Sequence, residues 1–349
     1  MSKYFHKLKV KEVIYETINA VSIIFDVPEE LKADFKYDAG QHLTVKANVK
    51  GENVRRSYSI PSWTEEGGEL KITSKMIPNG KMSSYLFNEV KEGQELEVMP
   101  PMGNFVLKND AQDKTLVFFA GGSGITPVIS VIKKALAKGN QDIYLHYGNR
   151  DPEQIIFEKE LQELKDNSDY RFLIQHYLDS NMERLDVSIV QAIVNSLKEK
   201  KTNAIFYICG PEGMIEGVQN GLKAAGVEKN QMVVEYFETP EVAEGEKKTT
   251  EVSASGDVHK ITIVIDDEEH EITMDEGEFI LEAAERIGVD PPFSCRSGVC
   301  TTCKAKIISG EVEMENNFGL SEDEIKEGYV LTCIGRPLTP GVKVSWDDV

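Results

Sequence analysis

Four of the chain's five cysteines stand in one pattern, Cys295-x4-Cys300-x2-Cys303, with Cys333 following at a distance. No other feature constrains the fold as strongly, because this spacing is an established ligand set for a [2Fe–2S] cluster and is read here as a pattern match. Two irons bridged by sulfide need four thiolates inside one small volume. Three would come from a single loop, and a separate strand would bring back the fourth. Gly298 and the small polar residues Ser297, Thr301 and Thr302 let the loop backbone come close enough to aim N–H groups at the sulfurs. Such hydrogen bonds tune a cluster's potential. A structural zinc site is the first competing reading, but zinc usually takes two short C-x2-4-C knuckles and one half here has a single cysteine. A disulfide framework is the second, and it does not suit a chain with no secretory segment. A cluster carries electrons, so the rest of the chain has to supply a donor and an acceptor.

At 349 residues the chain has room for two or three domains, each with its own core. A hydrophobic content of 40% and a charged content of 28% are ordinary for a globular protein. Residues 1–10 lack the apolar run of a signal peptide, and no stretch is apolar for long enough to span a bilayer. A soluble, cytoplasmic protein is therefore expected. The formal charge of −20 argues against nucleic acid as a partner. Much of that charge lies between Asp257 and Val349, with 21 Asp and Glu against 8 Lys and Arg. Solubility would account for it. So would an acidic face that steers a basic protein partner toward the cysteine segment.

Residues 1–107 read as short strands, among them 21–27, 42–46 and 69–73, punctuated by Ala39-Gly40, Gly67-Gly68 and Glu92-Gly93. A barrel or sandwich is the expected architecture. Within it, Arg56-Ser57-Tyr58-Ser59 on a strand would send Arg56 and Tyr58 to one side and Ser57 and Ser59 to the other. A guanidinium for phosphate beside a ring for stacking suits a planar, phosphate-bearing ligand. Gly80-Lys81-Met82-Ser83 then opens an amphipathic helix whose N-terminus is a ready anion site, or simply a helix start.

From Lys114 the pattern changes to strand–helix alternation. Thr115–Ala120 is continuously apolar, as a strand buried on both faces should be. Gly121-Gly122-Ser123-Gly124-Ile125-Thr126-Pro127 follows, then an apolar-periodic helix, which makes a dinucleotide phosphate site in principle without being G-x-G-x-x-G. Strands at 142–147, 171–177 and 204–209 alternate with helices at 154–164, 187–198 and 212–225. A parallel sheet is expected, with ligands at the carboxyl ends of its strands, where Gly121–Pro127 and Cys209-Gly210-Pro211 both lie. Arg150 closes the second strand and could pair a 2′-phosphate, which would favour NADPH. Asp151 and Glu153 beside it oppose that charge, so the choice between NADPH and NADH stays open. Residues 239–256 are Glu-, Lys-, Thr- and Gly-rich without an apolar period and read as a flexible tether. Beyond it come a hairpin (260–265 and 271–274), a helix (279–287), the cysteine loop and a returning strand (329–333).

Gly40-Gln41-His42, R-x-Y-S at 56–59, G-x-x-S at 80–83 and Pro101–Phe105 occur in the order found in the ferredoxin–NADP reductase superfamily, which this part of the chain resembles. The resemblance implies a six-stranded flavin barrel in which Arg56 holds the flavin phosphate, Tyr58 lies against the ring and Ser59 sits near its reactive edge. Gly80, Lys81, Met82 and Ser83 would cradle the pyrophosphate, and His42 would be structural. The glycine turn and Cys209-Gly210-Pro211 would be that family's NAD(P)H-binding pair. Cys209 would then position the nicotinamide rather than act as nucleophile, while Glu235 and Phe237 border the flavin and the nicotinamide pocket. The last segment resembles the β-grasp of plant-type ferredoxins. This domain order is most similar to the reductase subunits of oxygenases, those of the phenylacetyl-CoA epoxygenase type first among them.

The expected protein is thus multidomain, with a β-barrel flavin domain (1–107), an α/β parallel-sheet NAD(P) domain (108–238), a tether, and an α+β ferredoxin domain (257–349). Electrons would pass from NADPH or NADH to FAD (FMN as the alternative), then to the [2Fe–2S] cluster held by Cys295, Cys300, Cys303 and Cys333. The acceptor would be a terminal oxygenase or another one-electron acceptor protein docking on the acidic domain. A general ferredoxin- or cytochrome-reducing enzyme is one alternative, and a non-catalytic redox-sensing module is another. A sensor, however, needs no hydride route.

Overall fold

The structure, a computed structural model, describes residues 4–63, 68–139, 141–169, 171–182, 184–238 and 260–349. The chain divides into two compact units, Phe5–Phe237 and Glu238–Val349 (with Met1–Tyr4). The expected tether at 239–256 lies outside the described residues.

The first unit begins with six antiparallel strands: β1 (His6–Thr17), β2 (Ala20–Asp26), β3 (His42–Val49), β4 (Glu52–Ser59), β5 (Lys71–Lys75) and β6 (Glu95–Val98). Their order is β4-β3-β6-β1-β2-β5. Leu8, Ile23, Leu43, Ile72 and Leu86 are wholly buried at the centre. Helix α1 (Lys81–Asn88) closes this core with Met82 and Leu86. Strands β1 and β6 were not expected from the sequence. In β1 only Leu8 and Val10 keep a clean inward alternation, because bulges at Val10/Glu12 and Tyr15/Thr17 break the period of two.

Five parallel strands follow: β7 (Thr115–Gly121), β8 (Ile143–Asn149), β9 (Phe172–Leu178), β10 (Ala204–Cys209) and β11 (Met232–Glu235), in the order β11-β10-β7-β8-β9. Helices α2 (Ile125–Lys138), α3 (Glu158–Asp166), α4 (Val187–Ser196) and α5 (Glu212–Ala224) connect them. Every residue of β7 and β10 is buried, which is why both read as unbroken apolar runs. The helix expected from 154 starts only at Glu158. Ile155, Ile156 and Phe157 instead plug the core, with Phe157 turned to φ 62°. Helix α2 is tied to the barrel by polar contacts. Ser130 Oγ donates to Ser62 O at 3.1 Å, Gly40 N donates to Ser130 Oγ at 3.2 Å, and Lys133 Nζ donates to Pro61 O at 3.0 Å.

In the second unit the main sheet contains β12 (Lys260–Ile265), β13 (Glu268–Thr273), β14 (Lys304–Ser309), β16 (Tyr329–Leu331) and β18 (Lys343–Ser345), in the order β13-β12-β18-β14-β16. A small pair, β15 (Val312–Met314) and β17 (Gly335–Pro337), stands apart from it. Helices α6 (Ile280–Arg286) and α7 (Glu322–Lys326) complete the unit. Ile263, Ile280, Val330, Val342 and Val344 form the fully buried centre. The second arm of the hairpin starts earlier than the expected Glu271. Asp266 and Asp267 both adopt positive φ, the geometry of a two-residue turn that matches strand twist. No helix among the described residues is long and apolar enough to cross a membrane.

Candidate functional site

Strands β7 and β10 are neighbours, with Ala120 opposite Cys209. The glycine turn that follows β7 therefore meets the Cys-Gly-Pro that follows β10. A Cβ on Gly124 would lie 2.2 Å from Cys209 O and 2.7 Å from Gly210 N. One on Gly121 would lie 2.6 Å from Pro211 Cδ. Only glycine lets these two distant stretches form a single floor at the carboxyl edge of the sheet. Tyr147 Oη donates to Gly122 O at 2.9 Å, and Thr126 Oγ1 donates to Ser123 O at 2.9 Å, so the turn is held from both sides. Pro127 is buried in the first turn of α2.

Strand β11 lies on the other side of β10 and places Glu235 opposite Cys209. The Glu235 carboxyl hydrogen-bonds Ser59 at the end of β4, and burial pushes its pKa up to about 8. Its Oε2 is buried without a hydrogen-bond partner. Cys209 is fully buried, and its thiol is pushed up by burial and then by the charge of Glu235. Ser59, Cys209 and Glu235, which come from three separate segments, therefore meet. Burial therefore favours the neutral thiol over the thiolate. Phe237, just beyond β11, is 41% exposed.

The raised carboxyl has a consequence for stability. A group whose folded pKa exceeds its unfolded value adds stability below the unfolded value, and loses it as pH rises through the folded one. The first unit should therefore lose stability between about pH 4.5 and about pH 8, at no more than ~1.4 kcal/mol per pH unit from this group. Glu235→Gln should flatten that part of the profile in urea titrations. Parallel profiles for the two proteins would show that the carboxyl is not buried as described.

Lys75, which no sequence motif points to, ends β5 and reaches the same floor. Its Nζ lies 3.6 Å from where a Cβ on Gly122 would stand. Its ammonium pKa is lowered, first by burial and then by the charge of Arg150. Among the described residues no ion pair joins Lys75 or Arg150 to a carboxylate. Two like charges close enough to act on one another, beside the glycine turn, are what an anion would neutralise. The signal missed was a cation at a strand end, remote in sequence from every dinucleotide motif.

At the flavin motifs, Arg56 is exposed, its Nη1 donates to Arg55 O at 2.7 Å, and its charge acts on Tyr58, as the strand period predicts. Burial nevertheless raises the Tyr58 hydroxyl to about 12. Ser57 Oγ shares a hydrogen bond with Thr44 Oγ1 at 3.1 Å. Residues 80–83 divide their duties. Ser83 Oγ accepts from Ile77 N at 3.3 Å and donates to Gly80 O at 3.4 Å, Lys81 pairs with Glu52, and Met82 fills the barrel core. Gly80 is the N-cap of α1 and no side chain caps that helix. Its first-turn N–H groups are therefore not taken up by a side-chain cap.

In the second unit the four cysteines converge. Cys300 Sγ lies 3.1 Å from Cys295 Sγ, and Cys333 contacts the thiols of both Cys295 and Cys303. Ser297 N and Cys300 N each donate to Cys295 Sγ at 3.4 Å. Gly298 has φ 77°, and a Cβ there would fall 2.4 Å from Asn316 O, so glycine is required for the loop to close. Four soft donors, three of them buried, with backbone N–H groups already aimed at sulfur, fit an iron–sulfur cluster. The single charge on the loop is Arg296, which stacks on Phe293 at 4.0 Å and pairs with Glu285 at 2.5 Å. Lys304 pairs with Glu324, and Arg336 with Glu315. Each of these cations is thus matched by one carboxylate.

Comparison with known proteins agrees with this geometry. The models of an oxidoreductase FAD-binding domain, an oxidoreductase NAD-binding domain and a 2Fe-2S iron-sulfur cluster binding domain match residues 1–107, 118–220 and 263–338. The chain is 37% identical to a component of the 1,2-phenylacetyl-CoA epoxidase of Escherichia coli strain K12, over 98% of both chains. It is 31% identical to the ferredoxin reductase component of 3-ketosteroid-9-alpha-monooxygenase from Rhodococcus rhodochrous, over 97% of this chain and 96% of the other. Among solved structures, phthalate dioxygenase reductase aligns over 98% of both chains with a TM-score of 0.61 at 24% identity, a likeness of fold.

Proposed function

The chain belongs to the family of oxygenase reductase components that includes this 1,2-phenylacetyl-CoA epoxidase component, and from that premise we propose that it delivers electrons to an oxygenase of the epoxidase type. It is an NAD(P)H-dependent oxidoreductase whose domains bind FAD, a nicotinamide dinucleotide and a [2Fe–2S] cluster. The flavin supplies the conversion of a hydride's two electrons into single ones. The protein's own residues do the placing. The observation that carries the reading is the meeting of Ser59, Cys209 and Glu235 above the glycine floor, where a nicotinamide and a flavin ring have to be brought face to face.

In this reading Arg56 and the first turn of α1 hold the flavin phosphates, and Gly121, Gly122, Gly124, Gly210 and Pro211 shape the nicotinamide site. Lys75 and Arg150 together hold dinucleotide phosphate. Cys295, Cys300, Cys303 and Cys333 ligate the cluster. The barrel ends near residue 107, the tether covers 239–256, and the protein works in the cytoplasm. Lys75→Met should raise the KM for NAD(P)H about tenfold, the value of one charge-assisted contact, and leave flavin content unchanged. An unaltered KM would remove Lys75 from the site.

The oxygenase would dock on the second unit, drawn by its acidic excess. The test is turnover by purified protein, which should contain about two irons and one flavin per chain. It should oxidise NADH or NADPH steadily with a one-electron protein acceptor, and more slowly as salt rises when that acceptor is basic. A flavin-free or iron-free protein, or one without turnover, would reject the reading in favour of a non-catalytic module.

A further inference from the structure

Between Cys300 and Cys303 stand Thr301 and Thr302, which are 4% and 1% exposed. The third buried threonine nearby, Thr332, has a partner, since its Oγ1 donates to Cys303 O at 3.0 Å. Thr302 hydrogen-bonds the sulfur of Cys300. Thr301 Oγ1 is buried with no hydrogen-bond partner among the described residues. Native folds rarely leave a buried hydroxyl unspent, because its desolvation then goes uncompensated. It directly follows one sulfur ligand, Cys300, and stands two residues before another, Cys303, and a thiolate or bridging sulfide accepts hydrogen bonds.

We propose that the hydroxyls of Thr301 and Thr302 donate hydrogen bonds to sulfurs of the [2Fe–2S] cluster and so raise its reduction potential. The inference rests on the assignment of the four cysteines as cluster ligands. Its physical basis is simple. The cluster gains one electron from the reduced flavin and passes one to the acceptor, while both hydroxyls keep their protons. Added negative charge falls largely on the sulfurs, so a donor aimed at them stabilises the reduced form more than the oxidised one. The potential sets how readily the flavin can load the cluster, and how strongly the cluster can drive the acceptor.

The experiment is an EPR-monitored redox titration of the full chain, with iron and acid-labile sulfide assayed in the same samples. Thr301→Val and Thr302→Val keep the branched shape and remove only the hydroxyl. Each should reduce the equilibrium constant for cluster reduction by roughly three- to tenfold, tenfold being about 59 mV for one electron. Thr301→Ser and Thr302→Ser should stay within about twofold of wild type. If a valine variant fails to take up a cluster, alanine at the same position decides the question by the same fall. Variants that hold a full cluster at the wild-type potential would overturn the proposal. A wild-type protein with no iron or acid-labile sulfide would instead overturn the ligand assignment beneath it, so the two failures are distinguishable.

Discussion

Cys300→Ser should abolish electron delivery to a one-electron protein acceptor while NAD(P)H still reduces the flavin. The expected loss is on the order of a hundredfold or more, because the cluster is the sole one-electron exit in the proposed path. Flavin reduction, followed in a stopped-flow instrument, should stay within about twofold of wild type, since its residues all lie in Phe5–Phe237 and the cluster loop does not. The split follows from the geometry. Cys300 Sγ sits 3.1 Å from Cys295 Sγ within the converged quartet, and the serine hydroxyl is a poor replacement for a soft thiolate. If both activities vanish together, the order of electron flow is wrong. If both survive, the quartet is not the exit.

Gly124→Ala should cripple the nicotinamide end and spare the cluster. The added methyl would stand 2.2 Å from Cys209 O and 2.4 Å from Cys209 C, both backbone atoms that no rotamer can move aside. Overpacking of this kind costs ~1–3 kcal/mol. For a unit of this size that corresponds to a fall in melting temperature of roughly 2–4 °C per kcal/mol. The larger effect should be kinetic. Pushing the turn off Cys209 shifts the floor proposed to carry the nicotinamide, and a displacement of about 1 Å can cost on the order of a hundredfold in rate. Flavin reduction by NAD(P)H should therefore slow by at least about tenfold with iron and flavin contents unchanged. A variant with wild-type melting temperature and wild-type rate would mean that the two stretches do not touch.

Much of the molecule was legible before any coordinates. Thr115–Ala120 and Ala204–Cys209 announced buried parallel strands, because strands covered on both faces have no polar positions to interrupt them. Arg56 and Tyr58 were placed on one side by the period of two, and their electrostatic contact agrees. Strand β1 was hidden by its bulges, and the start of α3 by the buried plug Ile155–Phe157. At residues 80–83 the sequence offered four candidates for one task. Packing had already committed Met82 to the core, Lys81 to Glu52 and Ser83 to its own loop.

The amino-acid order by itself determined the cofactor chemistry. Cysteine spacing along a loop and glycines at strand ends are local requirements, met by neighbours in the chain. What only the tertiary structure decided is which distant groups share an environment. Lys75 at the end of β5 comes to Gly122 and within electrostatic reach of Arg150, although the three are far apart in sequence. Glu235 holds its proton near neutral pH because burial between segments strips it of water. Thr301 becomes a candidate donor only because its buried hydroxyl has no hydrogen-bond partner among the described residues. Burial and electrostatics depend on proximity in space, which chain order alone does not specify.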